Sequence, residues 1–157
     1  MTAKPICLII GAGDYIGAAI ARRFAKGGFH VVMGRRRGEM FAPLIAEIEA
    51  AGGSAQGFTW DARMEETATE MFAHVEGEIG PIDICIFNVG GNVRFPILDT
   101  TERVFRKVWE MCAYAAFLSG REAAKYMVER QKGSIFFTGA TASVRGSAGY
   151  AAFASGK

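Results

Sequence analysis

Short runs of consecutive apolar residues alternate along the chain with stretches whose apolar residues recur every third or fourth position. The runs are Pro5 to Ile10, His30 to Met33, Ala55 to Trp60, Ile82 to Asn88 and Ser134 to Thr138. Their length, and the glycine and proline around them, predict buried strands. Between the first two, Ile16, Ala19, Ile20 and Phe24 share one helical face, and Gly27-Gly28 ends that helix after Lys26. Ala42 to Ala51 predicts a second helix, stopped by Gly52-Gly53. Glu65 to Glu78 predicts a third, with Met71, Phe72 and Val75 as its apolar stripe and Gly80-Pro81 as its stop. Thr101 to Glu129 predicts one long helix capped by Thr101, and a last helix begins near Gly149. Strands alternating with helices predict an α/β fold, a Rossmann-type doubly wound parallel sheet with helices on both faces and right-handed crossovers. No repeat, low-complexity tract or linker divides the chain, so residues 1–157 are expected to form a single domain.

Composition narrows the partners more than the fold. A net charge of +2 gives no reason to expect nucleic acid or an acidic membrane surface. No apolar run is long enough to span a bilayer. Ile6 to Ile10 is too short for a secretion signal and runs into glycines. Cys7, Cys85 and Cys112 have no C-x-x-C spacing, and His30 and His74 stand alone, so buried thiols, a cytoplasmic location and no metal site are expected.

The first strand and first helix meet in Gly11-Ala12-Gly13-Asp14-Tyr15-Ile16-Gly17. Glycine there lets the backbone turn tightly and approach a pyrophosphate closely, while the helix start offers N–H groups and the positive end of its dipole. In a strand–turn–helix setting the pattern predicts a bound dinucleotide. The second strand ends in Gly34-Arg35-Arg36-Arg37, and Arg35 falls eighteen positions after Gly17. An acidic residue near that distance takes the ribose 2′-OH of NAD, whereas an arginine suits the 2′-phosphate of NADP. NADP(H) is therefore expected over NAD, with Arg35 and Arg36 at the phosphate. The Asp14 carboxylate, placed among phosphates, is repulsive. Tyr15 either crowds the pyrophosphate or caps it.

These features, in this order, resemble the short-chain dehydrogenase/reductase family. Gly11-x-x-x-Tyr15-Ile16-Gly17 looks like its glycine motif, and Trp60-Asp61-Ala62 like the segment whose aspartate contacts adenine. Gly80 to Gly90, ending Asn88-Val89-Gly90, resembles the run that closes in its Asn-Asn-Ala-Gly motif. Gly133 to Thr138 looks like its fifth strand, and Phe153-Ala154-Ser155-Gly156-Lys157 stands where its Tyr-x-x-x-Lys motif belongs. The resemblance implies an NADP(H)-dependent oxidoreductase acting on a small carbonyl or alcohol, and a homo-oligomer. Gly11, Gly13, Asp14, Tyr15, Ile16, Gly17, Arg35, Arg36, Asp61, Ala62, Asn88, Gly90 and Lys157 would then line the cofactor.

The chain departs from the family at the reacting groups. The tyrosine position is Phe153, the serine position is Ala140 and the helix asparagine position is Cys112; Lys157 alone keeps its family identity. Phenylalanine and alanine have no proton to give. Tyr150 is the best replacement acid, sharing a helical face with Phe153, although it stands about 10.5 Å along a helix from Lys157. Thr138, Thr141 and Ser143 offer hydroxyls near the lost serine, with bonds to nearby backbone as their ordinary fate. Two readings remain: an atypical oxidoreductase using Lys157 and Tyr150, or a nucleotide-binding sensor or oligomer partner without catalysis. Family members run to about 250 residues, the upper end for one domain. The resemblance therefore implies further strands and a substrate-covering loop after Lys157, and an open apolar edge at Ser134 to Thr138.

Overall fold

A computed structural model describes residues 4–157. Five strands, β1 (Ile6–Ile10), β2 (His30–Arg35), β3 (Ser54–Thr59), β4 (Ile82–Phe87) and β5 (Ser134–Phe137), form one parallel sheet in the order β3-β2-β1-β4-β5. Around it lie α1 (Ile16–Lys26), α2 (Ala42–Ala50), α3 (Glu65–His74), α4 (Glu102–Trp109), α5 (Ala115–Glu129), α6 (Thr141–Val144) and α7 (Ala151–Gly156). The predicted doubly wound α/β architecture is thus the observed one.

β1 is the central strand, and every residue of it is buried. Its side chains alternate between two cores. Ile6, Leu8 and Ile10 pack with Met71, Phe72 and Ala123 on one face, while Cys7 and Ile9 pack with Ala21, Met33 and Ile48 on the other. A strand with two covered faces cannot carry an alternating polar pattern, which is why its sequence is an unbroken apolar run. α1 approaches closely because the residues it buries are Gly17, Ala18, Ala21 and Ala25. Burial also pushes the Cys7 thiol up to about 12 and raises Cys85, which leaves both as unreactive core residues.

Two helices are longer than their regular α segments. α3 runs on through a π turn at Val75–Ile79, and α4 joins α5 through another at Glu110–Tyr114. The Thr101 hydroxyl accepts the Val104 N–H at 3.3 Å, the expected cap. The second π turn carries Cys112 inward into a small core with Val108 and Ala152, so α7 rests on α4. Contact there is close: a Cβ on Gly156 would sit 3.1 Å from that of Cys112. The short helix α6 has no counterpart in the apolar pattern. Its first turn is held by Ser143, whose Oγ donates to the Ala140 carbonyl at 2.5 Å and accepts the Ala140 N–H at 3.3 Å. β5 pairs with β4 only, and Phe136 and Phe137 are about half exposed on it.

Candidate functional site

The strand order reverses between β1 and β4, and a crevice opens there at the carboxyl ends of the strands. The Gly11 turn stands at its mouth. Gly11 has φ +83, and a Cβ on it would lie 2.8 Å from both Val89 N and its side chain. A Cβ on Gly17 would lie 2.5 Å from the Ala12 Cα, so this glycine is what lets α1 fold back on the turn. Asn88 ties the turn to β4, its Nδ2 donating to the Gly11 carbonyl at 3.2 Å. α1 begins without a side-chain cap and has no acidic residue in its first turn, so no side chain of that turn offsets its positive end. Nothing stands within 4 Å of a Cβ on Gly13. Tyr15 is 88% exposed and points into solvent, so it does not fill the turn. Ile16 is exposed beside it.

Asp14 does not stand as a bare charge. Arg35 Nη1 donates to its Oδ1 at 2.7 Å, joining the turn to the end of β2. Arg35 is further held by its Nε bond to the Arg37 carbonyl at 2.9 Å and by stacking 4.6 Å over Phe41. Arg36 is exposed, has no ion-pair partner among the described residues, and lines the crevice with Trp60, Asp61, Ala62 and Gly90. That pocket holds about 120 Å³. Its Asp61 is clamped by Arg63, with Nε to Oδ1 at 2.8 Å and Nη2 to Oδ2 at 2.5 Å. The Arg63 hydrogen bonds hold the Asp61 carboxyl below its ordinary value against the opposing effect of burial. Trp60, stacked on Phe58 at 4.4 Å, covers Gly34, where a Cβ would meet the indole at 2.8 Å. Position 34 of β2 therefore has no room for a side chain unless the indole moves.

Lys157 ends α7 with its Nζ between two backbone carbonyls, Val89 at 2.8 Å and Thr138 at 2.7 Å. Burial lowers its pKa. An ammonium has three protons to donate, so one remains for a ligand above Gly90. Cys112, at the asparagine position, is buried and its thiol is raised by that burial. Ala140 and Phe153 line a second cleft of about 530 Å³ together with Tyr150, Asn92 and Arg145. Tyr150 caps α7 rather than lying within it, and its ring is 6.3 Å from that of Phe153. The structure thus brings Gly11, Arg35, Arg36, Asp61, Ala62 and Gly90 together at the β1–β4 crevice and Ala140 and Phe153 in a second cleft, while Tyr15 points away and Cys112 is buried in a core. Sequence reasoning missed Arg63 and Arg94, whose guanidinium lies 5.8 Å over the Tyr150 ring. The Asp61-Ala62-Arg63 spacing was the available signal for the first; nothing local marked the second.

A parallel α/β sheet with a glycine turn at its reversal defines a dinucleotide-binding class of fold. Within that class, the family profile described as "short chain dehydrogenase" matches residues 5–157. A short-chain dehydrogenase from Rhodopseudomonas palustris is 56% identical, superposes with a TM-score of 0.92, and shares 97% of this chain and 71% of its own. The 2,3-dihydro-2,3-dihydroxybenzoate dehydrogenase of Bacillus subtilis (strain 168) is 31% identical over 97% of this chain and 58% of its own length. An NAD+-bound xylitol dehydrogenase is 27% identical with a TM-score of 0.93, over 99% of this chain and 60% of its own. The chain belongs to the short-chain dehydrogenase family, and it spans about half the length of the curated relatives it matches.

Proposed function

We propose that the protein binds NADP(H) across the Gly11 turn and serves an oxidoreductase that interconverts a small carbonyl compound and its alcohol. Arg36 carries this reading: an exposed guanidinium without an ion-pair partner, inside the crevice that the glycine turn opens. Family likeness does not choose the cofactor, since xylitol dehydrogenase was solved with NAD+. The residues favour the 2′-phosphate, because no carboxylate at the end of β2 is free to take a 2′-OH and two arginines flank that position. Gly11, Gly13 and Gly17 admit the pyrophosphate, Ile16 and Tyr15 stand exposed beside the turn, and Asp61 with Ala62 borders the adenine. Asp14 acts through Arg35, holding that guanidinium in place while cancelling part of its charge.

The bound nicotinamide would supply the hydride; the protein supplies placement and, where it has one, a proton. Asn88 fixes the turn, Gly90 lets the chain pass close beneath the ribose, and Lys157 offers its third N–H to a ribose hydroxyl. Tyr150 is the hydroxyl placed to give a proton to a carbonyl oxygen in the 530 Å³ cleft. Lys157 spends two donors on backbone and stands apart from Tyr150, so its role is positioning. A cytoplasmic location and a homo-oligomer belong to the same reading. A non-catalytic nucleotide-binding protein is the second reading, favoured by Ala140 and Phe153, which leave the cleft without the family's paired hydroxyls.

Titration of the protein with NADPH and with NADH, followed by cofactor fluorescence, tests the proposal. NADPH binding at least about tenfold tighter than NADH, roughly 1.4 kcal/mol, is the expected result. Equal affinity would remove the 2′-phosphate assignment, and no binding of either would remove the cofactor reading. Turnover of a carbonyl panel then separates the enzyme from the binding protein.

A further inference from the structure

The cleft beside Tyr150 has an electrostatic character that the dehydrogenase reading does not require. Its lining contains one charged side chain, Arg145, and no carboxylate. Arg94 stands at its edge, stacked on Tyr150. The loop bearing Arg94 is strapped to the segment before α7 by the Phe95 N–H bond to the Gly149 carbonyl, at 2.9 Å. That bond places a second guanidinium against the same aromatic wall. The wall is Tyr150 and Phe153, with rings 6.3 Å apart.

Half of the molecule's arginines are spent on carboxylates, and of the rest Arg23, Arg36, Arg37 and Arg103 do not line this cleft. Arg22, Arg35, Arg63, Arg106, Arg121 and Arg130 each hold a carboxylate at 3.1 Å or less. Arg94 and Arg145 have no ion pair among the described residues. Both are exposed. Two unneutralised guanidinia around an aromatic-walled cleft attract a planar anion. Guanidinium offers a carboxylate two parallel N–H bonds, and the rings offer a flat apolar face to whatever carries it.

We propose that this cleft takes a small organic carboxylate, with Arg145 and Arg94 as its anchors and the Tyr150 and Phe153 rings against its ring or unsaturated chain. The inference rests on reading the cleft as the substrate side of the proposed NADP(H) site, and it names the substrate class: a hydroxy acid or keto acid rather than a neutral alcohol. Arg145 and Arg94 bind and orient; neither is assigned a step in the reaction.

The test uses the full chain with saturating NADP+ and two probes of one shape, benzoate and benzamide, followed by calorimetric or NMR titration. Benzoate should bind at least tenfold tighter than benzamide. Arg145→Gln alone, and R94Q/R145Q together, should abolish that preference without changing the affinity for benzamide or for NADP+. Equal affinity for the two probes, no binding of benzoate, or a preference that survives R94Q/R145Q would overturn the proposal. NADPH fluorescence on the same samples judges the cofactor reading separately. A benzoate preference that depends on the arginines, in a protein that fails to bind NADPH, would uphold the anion site and sink the dehydrogenase assignment.

Discussion

The two sides of the groove above the sheet are equally well shaped and unequally equipped. On the β1–β2 side the demands are geometric. Gly11 and Gly17 have no space for a Cβ, Asn88 pins the turn, and α1 starts uncapped. On the β5–α7 side the framework is as tightly made: Gly156 packs against Cys112, and Lys157 is held by two carbonyls. What that side lacks is a hydroxyl at two positions, since Ala140 and Phe153 bring carbon to a cleft whose hydroxyls are those of Thr141, Ser147 and Tyr150. Shape and reactivity are separable here for a physical reason. A close backbone approach depends on several residues acting together, whereas proton transfer depends on one O–H. Removing that oxygen from a tyrosine leaves the ring and its packing in place.

The sharpest way to use that contrast is to restore the chemistry and leave the shape alone. The double substitution F153Y/A140S adds two hydroxyls to one cleft. A positioned general acid contributes about 10²–10⁴-fold, so turnover of a small carbonyl with NADPH should rise at least about 100-fold. Either substitution alone should give much less, because the two groups act as a unit. Loss of NADPH absorbance at steady state measures the effect. NADPH affinity should be unchanged. A double variant that binds NADPH normally and gains no turnover would break the comparison, showing that the cleft itself has been reshaped.

Much of this contrast was legible in the sequence. The glycine turn and the parallel sheet implied by alternating elements followed from residue type and spacing, and the resemblance to the family picked out Phe153, Ala140 and Cys112. The unbroken Ile6–Ile10 run announced a strand with both faces covered, and that is what β1 is. The π turn at Glu110–Tyr114 was not legible. It inserts one residue's worth of backbone without altering the apolar rhythm around Val108 and Leu118, so the long helix read as uniform. Nor was the Asp14–Arg35 bridge legible, since it joins residues twenty-one apart whose meeting depends on β1 lying beside β2. Read singly, Asp14 counted against phosphate and Arg35 for it; paired, they partly cancel and leave Arg36 as the free charge. Arg94 reaches Tyr150 only through a loop strap, a contact with no sequence period.

Arg36 tests the equipped side. Arg36→Ala should weaken NADPH about tenfold, near 1.4 kcal/mol, while leaving NADH within about twofold. Asp14→Asn should move the other way by a smaller factor, because it releases Arg35 from its partner. Fluorescence titration in low salt reads both, and the differences should shrink as salt screens these exposed charges. Equal losses of NADPH and NADH in the Arg36 variant would show that this guanidinium serves the shape of the crevice rather than the 2′-phosphate.

The smallest effect separates charge from geometry around Asp61. The Arg63 hydrogen bonds hold Asp61 below its ordinary carboxylate range, against the opposing pull of burial. A carboxylate whose folded pKa is depressed contributes stability that is fully present above the unfolded value of about 3.9. That contribution is lost as pH falls through the folded value. Asp61→Asn should therefore lower the thermal midpoint at pH 7 and matter progressively less below about pH 4. The side chains are partly exposed and only two residues apart, so the difference at neutral pH should be about 1 kcal/mol or less. Thermal unfolding of both proteins at pH 7 and in acid reads it. A gap that persists undiminished in acid would mean that Asp61 supports the crevice through packing and hydrogen-bond geometry, not through its charge. The Asp61 side of the crevice would then depend on shape alone, as the glycine turn does.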